Sequence, residues 1–140
     1  MINSNIDASK EERWLLKRKA EKIITLLQRR NIFCDYFETR DSLVDFILQS
    51  IPVDSSVARG DSLSLDQLSL MDKLHKRGQK KIIDPFVHDQ QGNWIYRRQE
   101  RYQQEIASFG ADFYLSSVNA ITMGGEIVNL DGNGNRVAAI

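Results

Sequence analysis

ADFYLSSVNAITMGGEIVNLDGNGNRVAAI, residues 111–140, is the stretch whose reading decides the fold. Phe113, Tyr114 and Leu115 form a short apolar run that predicts a strand, because aromatic and branched side chains suit a pleated, half-buried surface. Gly124 and Gly125, between ITM and EIVNL, predict a two-residue hairpin turn. DGNGN at 131–135 alternates oxygen-bearing side chains with glycine and predicts a loop. Asn135 then stands where a helix N-cap should stand, ahead of Arg136, Val137, Ala138 and Ala139.

Working outward, SSVARGDSLSLDQL at 55–68 predicts a short strand that runs through Gly60, Asp61 and Ser62 into a helix. Ser64-Leu65-Asp66-Gln67 has the spacing of a capping box, and Leu68, Met71 and Leu74 continue a helical pattern toward Gly78. Free backbone N–H groups at a helix start after a glycine turn can hold an anion, while Ser62 or Ser64 as a plain cap explains the same residues equally well. Arg59 favours an anionic group nearby, and Asp61 argues against a multiply charged one.

The remaining elements alternate. Ser9-Lys10-Glu11-Glu12 predicts a capping box for a basic helix reaching Arg30, with Leu16, Ala20, Ile23, Ile24 and Leu27 on one face. Its lysines and arginines read as a solvated face, since no aromatic residue is interleaved among them to stack on bases. Residues 32–37 predict a strand that buries Cys34, and Thr39 or Asp41 caps a helix holding Leu43, Val44, Ile47 and Leu48 before Pro52. Lys80 to Ile83 predicts a strand, 86–93 an exposed connection, and Trp94 or Ile95 to about Ser108 a helix ended by Gly110. His88 and Asp89 lack the helical H-x-x-x-H spacing of a metal pair and are assigned to a surface loop. Helices alternating with strands predict an α/β fold: a mostly parallel sheet with flanking helices and a β-hairpin near the C-terminus, in a single domain over 1–140.

Composition narrows the class. With 41% hydrophobic and 27% charged residues and only two prolines, the chain reads as an ordinary globular protein. Lys+Arg 19 against Asp+Glu 19 gives a formal net charge of zero, so charge supplies no argument for nucleic acid or a membrane surface. No apolar run approaches the roughly 20 residues of a membrane span, the N-terminus lacks the pattern of a secretory signal, and one cysteine permits no internal disulfide. A cytoplasmic location is the expectation. No cofactor and no metal are assigned, and a homo-oligomer is left open.

The loop at 131–135 fails as a calcium site, because its sixth position would be Arg136 instead of glycine and no bidentate Glu follows at the twelfth. The sequence holds no G-x-G-x-x-G after its first strand, no G-K-[ST] loop and no G-x-S-x-G elbow. Arg136 sits in a first helical turn, where its charge opposes the dipole. The candidate ligand-binding set is therefore Arg59, Gly60, Asp61, Ser62, Asn119, Asp131, Gly132, Asn133, Asn135 and Arg136, suited to a small anionic or hydroxylated compound. Asp131 is the candidate catalytic residue. The plain alternative, in which these residues only shape turns and cap a helix, stands beside it.

At these residues the sequence resembles the LUD domain, the lactate utilisation protein C family. The likeness is carried by the Ala-Asp opening, N-A-I-T, the glycine hairpin, V-N-L-D-G and G-N-R-V-A-A of 111–140, and by GDSLSLDQLSL at 60–70. It implies a fold akin to the ribose-phosphate isomerase and CoA-transferase group, and a part in oxidising L-lactate to pyruvate with iron–sulfur partner proteins. Ala58 and Arg59 stand where the family usually has a smaller, more glycine-rich approach to Gly60. Members of the family usually continue past the position of Ile140, so the resemblance implies that a C-terminal part is missing here. Three readings stay open: a subunit that binds a small anionic ligand without catalysing, an isomerase- or transferase-like enzyme acting on a phosphorylated or CoA-linked small molecule, and a non-catalytic interaction module.

Overall fold

The computed structural model describes residues 8–140. In chain order the elements are α1 (Ala8–Gln28), α2 (Arg40–Ser50), β1 (Ser56–Arg59), α3 (Leu63–Gln67), α4 (Leu70–Arg77), β2 (Lys81–Ile83), α5 (Arg98–Ser108), β3 (Phe113–Leu115), β4 (Ala120–Ile121), β5 (Ile127–Val128) and α6 (Asn135–Ala139). The chain is α/β, with a parallel three-stranded sheet, flanking helices and a small antiparallel hairpin near the C-terminus. The described residues divide into two compact units, one of those up to Glu38 with Asn119–Val128, the other of Thr39–Val118 with Asn129–Ile140.

The larger unit holds the sheet, in the order β2-β1-β3. All four residues of β1 are buried, as a central parallel strand covered on both faces requires. Val57 lies opposite Ile82 on one side and Phe113 on the other, and Arg59 lies opposite Leu115. Ser56 and Asp112 clamp the amino ends of β1 and β3: the Ser56 N–H and hydroxyl both donate to the carboxylate at 2.7 Å, and the Asp112 N–H donates back to the hydroxyl at 2.9 Å. These bonds, the Ser56 N–H first, hold the Asp112 carboxyl below the usual aspartate range. Val44, Ile51, Val57, Leu65, Leu70, Met71 and Leu74 form the core beside the sheet.

Helix boundaries in this unit follow local chemistry. Thr39 caps α2, accepting the Ser42 N–H at 3.1 Å. Ser62 caps α3, and Ser64 lies inside that helix. The expected single helix to Gly78 is broken at Ser69, whose φ of 48° reverses the chain before α4 begins. Gly78 then ends α4 with φ 85°, the left-handed conformation that glycine adopts without a Cβ clash. Helix α5 begins at Arg98, three or four residues later than the pattern predicts, because 88–94 instead closes a small turn. His88 and Trp94 form an isolated antiparallel bridge, and Asp89 accepts the N–H groups of Gln91 and Asn93. Phe86, in the stretch expected to be exposed, is buried.

The smaller unit contains α1 and the hairpin. Ser9 lies within α1 and not at its cap. The Arg30 guanidinium donates to the carbonyls of Gly125 at 2.6 Å and Gly124 at 3.3 Å, which ties the end of the helix to the turn. The turn is longer than the predicted two residues. The Gly125 N–H returns to the Thr122 carbonyl at 3.0 Å, the Thr122 N–H donates to the Glu126 carbonyl at 2.9 Å, and Gly125 has φ 79°. Met123, Gly124 and Gly125 thus make a three-residue loop with its glycine in the left-handed position. Residues 32–37 form no strand. Aromatic and branched residues suit a strand only where another strand offers a ladder, and none pairs with them here. Cys34 is consequently half-buried instead of enclosed, and Phe33 is exposed.

Candidate ligand site at the carboxyl edge of the sheet

Strand β1 leads to β2 on one side of the sheet, and the chain returns to β3 on the other. Ligands of open α/β sheets lie beyond the carboxyl ends of strands at such a reversal. Here that place is occupied by residues 60–62, 116–117 and the loop at 129–136. The Gly60 N–H donates to the Leu115 carbonyl at 2.9 Å. The Ser62 hydroxyl accepts the Leu65 N–H at 3.4 Å as a cap and donates to the Ser117 hydroxyl at 2.9 Å, which joins the two strand ends.

Gly60 is required by close packing. A Cβ placed there would lie 2.7 Å from Arg136 Cγ, 2.8 Å from the Tyr114 hydroxyl oxygen and 3.3 Å from Ser116 Oγ. The stem of Arg136 therefore runs directly over Gly60. Its guanidinium donates to the Leu130 carbonyl at 2.7 Å and the Ser117 carbonyl at 3.5 Å. Tyr114 donates to the Asn135 carbonyl at 3.4 Å. Its pKa is pushed up to about 12, chiefly by burial and then by the charges of Asp131 and Glu105, so it is a hydroxyl donor at any physiological pH.

Asp131 organises the second loop. Its carboxylate accepts the backbone N–H groups of Asn133 at 3.1 Å, Arg136 at 2.6 Å and Val137 at 3.3 Å. Burial pushes this carboxyl up, but the N–H donors outweigh burial and leave it below the usual aspartate range. Asp131 thereby supplies the cap expected of Asn135. Gly134 occupies the N-cap position of α6 with φ 77°, and Asn135 is the first helical residue. The Asn135 side chain is buried at 6% exposure; its oxygen accepts the Arg136 N–H at 2.9 Å and its Nδ2 has no partner. Asn129, at the entrance to the loop, likewise buries both side-chain polar atoms without a partner. Buried polar groups are usually paired, so these amides mark where a ligand or water would be bonded.

Arg59 supports the site from behind. It is 4% exposed, and its guanidinium is committed to Asp66 at 2.5 Å, the Gly60 carbonyl at 3.2 Å and the Ser62 carbonyl at 3.5 Å. Asp61, Gly132 and Asn133 are exposed at the rim. Asn119 belongs to the smaller unit, where its N–H donates to the Val128 carbonyl at 3.1 Å and opens the hairpin. Of the candidate residues, Gly60, Ser62, Asn135 and Arg136 are brought together with Asp131, while Arg59 is turned inward.

Sequence reasoning missed Tyr114, Ser116, Ser117, Asn129 and Asp84 as members of this edge. Asp84 follows β2 and lies 3.8 Å from Arg59 Nε. Burial pushes its carboxyl above the usual range, against the Phe86 N–H and Arg59, which pull it down. A carboxylate directly after a strand and before proline was the available signal. Among the described residues no group of three or more His, Cys, Asp and Glu side chains could hold a metal ion. No described helix is long and apolar enough to cross a membrane.

The fold is α/β, and the carboxyl edge of its sheet carries polar side chains and the Arg136 cation on strand-to-helix loops. The model of the LUD domain matches residues 20–140, and the chain belongs to that family. At family level this points to a role related to lactate utilisation. No curated protein and no solved structure matches the chain.

Proposed function

We propose that this LUD-domain chain binds a small carboxylate, or a phosphorylated compound of similar size, between residues 60–62 and 131–136. On this reading it serves L-lactate oxidation to pyruvate in the cytoplasm, beside iron–sulfur partner proteins. The observation that carries the proposal is the packing of Arg136 over Gly60, with Ser62 bonded to Ser117: it makes two loops, distant in sequence, into one polar surface. Arg136 supplies a cation, Ser117, which accepts from Ser62, keeps its own hydroxyl hydrogen to donate, and Asn135 has an unused amide N–H. Hydrogen bonds from a cation to a carboxylate are stronger than neutral ones, so Arg136 sets affinity, and the Ser117 hydroxyl and Asn135 amide set orientation. Asp131, held as an ion by backbone N–H groups, shapes the loop and is a weaker base than an ordinary aspartate. Titration with L-lactate and pyruvate, followed through backbone amide shifts, is expected to perturb 60–62, 116–117 and 131–136. Shifts confined to other residues would defeat the reading.

A catalytic reading, isomerase- or transferase-like, rests on Asp84, a carboxyl of raised proton affinity at the same edge. It requires Asp84→Asn to abolish turnover of a phosphorylated or CoA-linked substrate while leaving the binding-induced amide shifts in place.

A further inference from the structure

Beside the sheet edge, and sharing Asn133 of its rim, the larger unit has a cleft of about 540 Å³ lined by Arg98, Gln99, Arg101, Tyr102 and Glu105 of α5 and by Asn133. We infer that this cleft is a second ligand site, built for the phosphate monoester of a small hydroxylated molecule. The inference goes beyond the sheet-edge reading and does not depend on it.

Three independent features point to that chemistry. The first is the state of the polar groups. Arg101 and Glu105 are paired with each other at 3.4 Å, and Arg101 also lies over the Trp94 ring at 4.5 Å, which fixes it as one wall. Arg98, by contrast, has no ion-pair partner among the described residues, and the side chains of Gln99, Tyr102 and Asn133 make no hydrogen bond among them. What is left unpaired is therefore one guanidinium, two amides and one phenol. A guanidinium presents a fork of donors that matches phosphate oxygens, whereas amides and a phenol, each both donor and acceptor, match hydroxyl groups.

The second feature is the field. Arg98 and Arg101 against Glu105 leave the cleft positive, although the whole chain has a formal net charge of zero. In the first turn of α5 the Glu100 carboxylate is turned back to accept the Arg97 N–H at 3.0 Å, so Arg98 is left as the cation without a carboxylate partner among the described residues. The third is size and rigidity. The volume falls in the range of about 300–1,000 Å³ typical of small-molecule sites and exceeds what a bare phosphate fills. The exposed Tyr102 ring offers a surface for an organic body. The Asn133 backbone is held by its N–H bond to Asp131, which fixes where its free side chain starts on the far wall.

Isothermal titration and amide-shift mapping of the intact chain with glycerol 3-phosphate, at constant ionic strength, test the inference. Inorganic phosphate, glycerol and sulfate serve as comparisons. The expected result is saturable binding with shifts at 98–102 and 133, tighter for glycerol 3-phosphate than for inorganic phosphate, and absent for glycerol. Arg98→Ala should weaken it about tenfold, with Arg98→Lys between the two. Arg98 is exposed, so circular dichroism should report an unchanged fold, and Arg98→Gln provides a second variant of similar length. Arg136→Ala should leave this binding intact, which separates it from the sheet-edge site. No saturable binding, equal affinity in Arg98→Ala, or shifts confined to 60–62 and 116–117 would each overturn it.

Discussion

Gly60 and Arg136, 76 positions apart in the sequence, are in direct contact: a Cβ at Gly60 would fall 2.7 Å from Arg136 Cγ. Gly60→Ala must displace Arg136 and Tyr114 together, and overpacking of this kind costs about 1–3 kcal/mol. In urea unfolding, Gly60→Ala should be destabilised by that amount, and Arg136→Ala in the same chain should restore part of it. Simple additivity of the two substitutions would show that the contact does not constrain the loop.

Asp131 caps α6 through the N–H groups of Arg136 and Val137 and holds the preceding loop through that of Asn133. Asp131→Ala should lower stability by about 0.5–2 kcal/mol, as lost caps do. The folded-state proton affinity lies below that of an unfolded aspartate, about 3.9. Its stabilisation is therefore complete above that value and is lost as pH falls through the folded one. Thermal unfolding between roughly pH 5 and 3 should show a shallower pH dependence in Asp131→Ala than in the parent chain.

Asp84 carries the opposite sign. Burial raises its folded-state value, so the folded chain holds this proton more tightly than the unfolded one. The associated stability is present below the unfolded value of about 3.9 and is lost as pH rises through the folded one. Asp84→Asn keeps an acceptor for the Phe86 N–H and removes the buried charge. Relative to the parent, its melting temperature should be higher at pH 7 than at pH 4; a constant difference would show that Asp84 titrates as an exposed aspartate.

Leu74 is fully buried in the core beneath the sheet. Leu74→Ala should lose about 2–5 kcal/mol in denaturant unfolding, the range for a leucine truncated where the surroundings cannot collapse. A loss below 1 kcal/mol would mean that α4 is not packed as described.

The three sheet strands were legible because each is a short stretch with apolar residues at its centre or end, next to Gly, Pro or Asp, and the strand-to-helix order then implied parallel pairing. Residues 32–37 carried the same composition without becoming a strand, since pairing depends on a distant partner that local composition does not report. The cap at Asn135 was misplaced for a related reason: a carboxylate four residues upstream reaches the same N–H groups and leaves Asn135 free to be buried. The hairpin was recognised from its glycines, but its loop length is set by which of them takes positive φ. At the site, the glycine and asparagine loops announced themselves. Arg59 misled because an arginine beside a glycine turn reads alike whether it faces solvent or an Asp66 seven residues on. Tyr114, Ser117 and Asp84 join the edge only through strand register, which no local window contains.

The central claim, that one anionic compound binds where Arg136 crosses Gly60, is tested most directly by thermal shift of the parent chain and Arg136→Ala against L-lactate, pyruvate and sugar phosphates. A ligand that binds only the folded state raises the melting temperature in proportion to its occupancy. The account predicts that at least one of these compounds stabilises the parent and has little effect on Arg136→Ala. Equal stabilisation of both chains, or none of either, would contradict it.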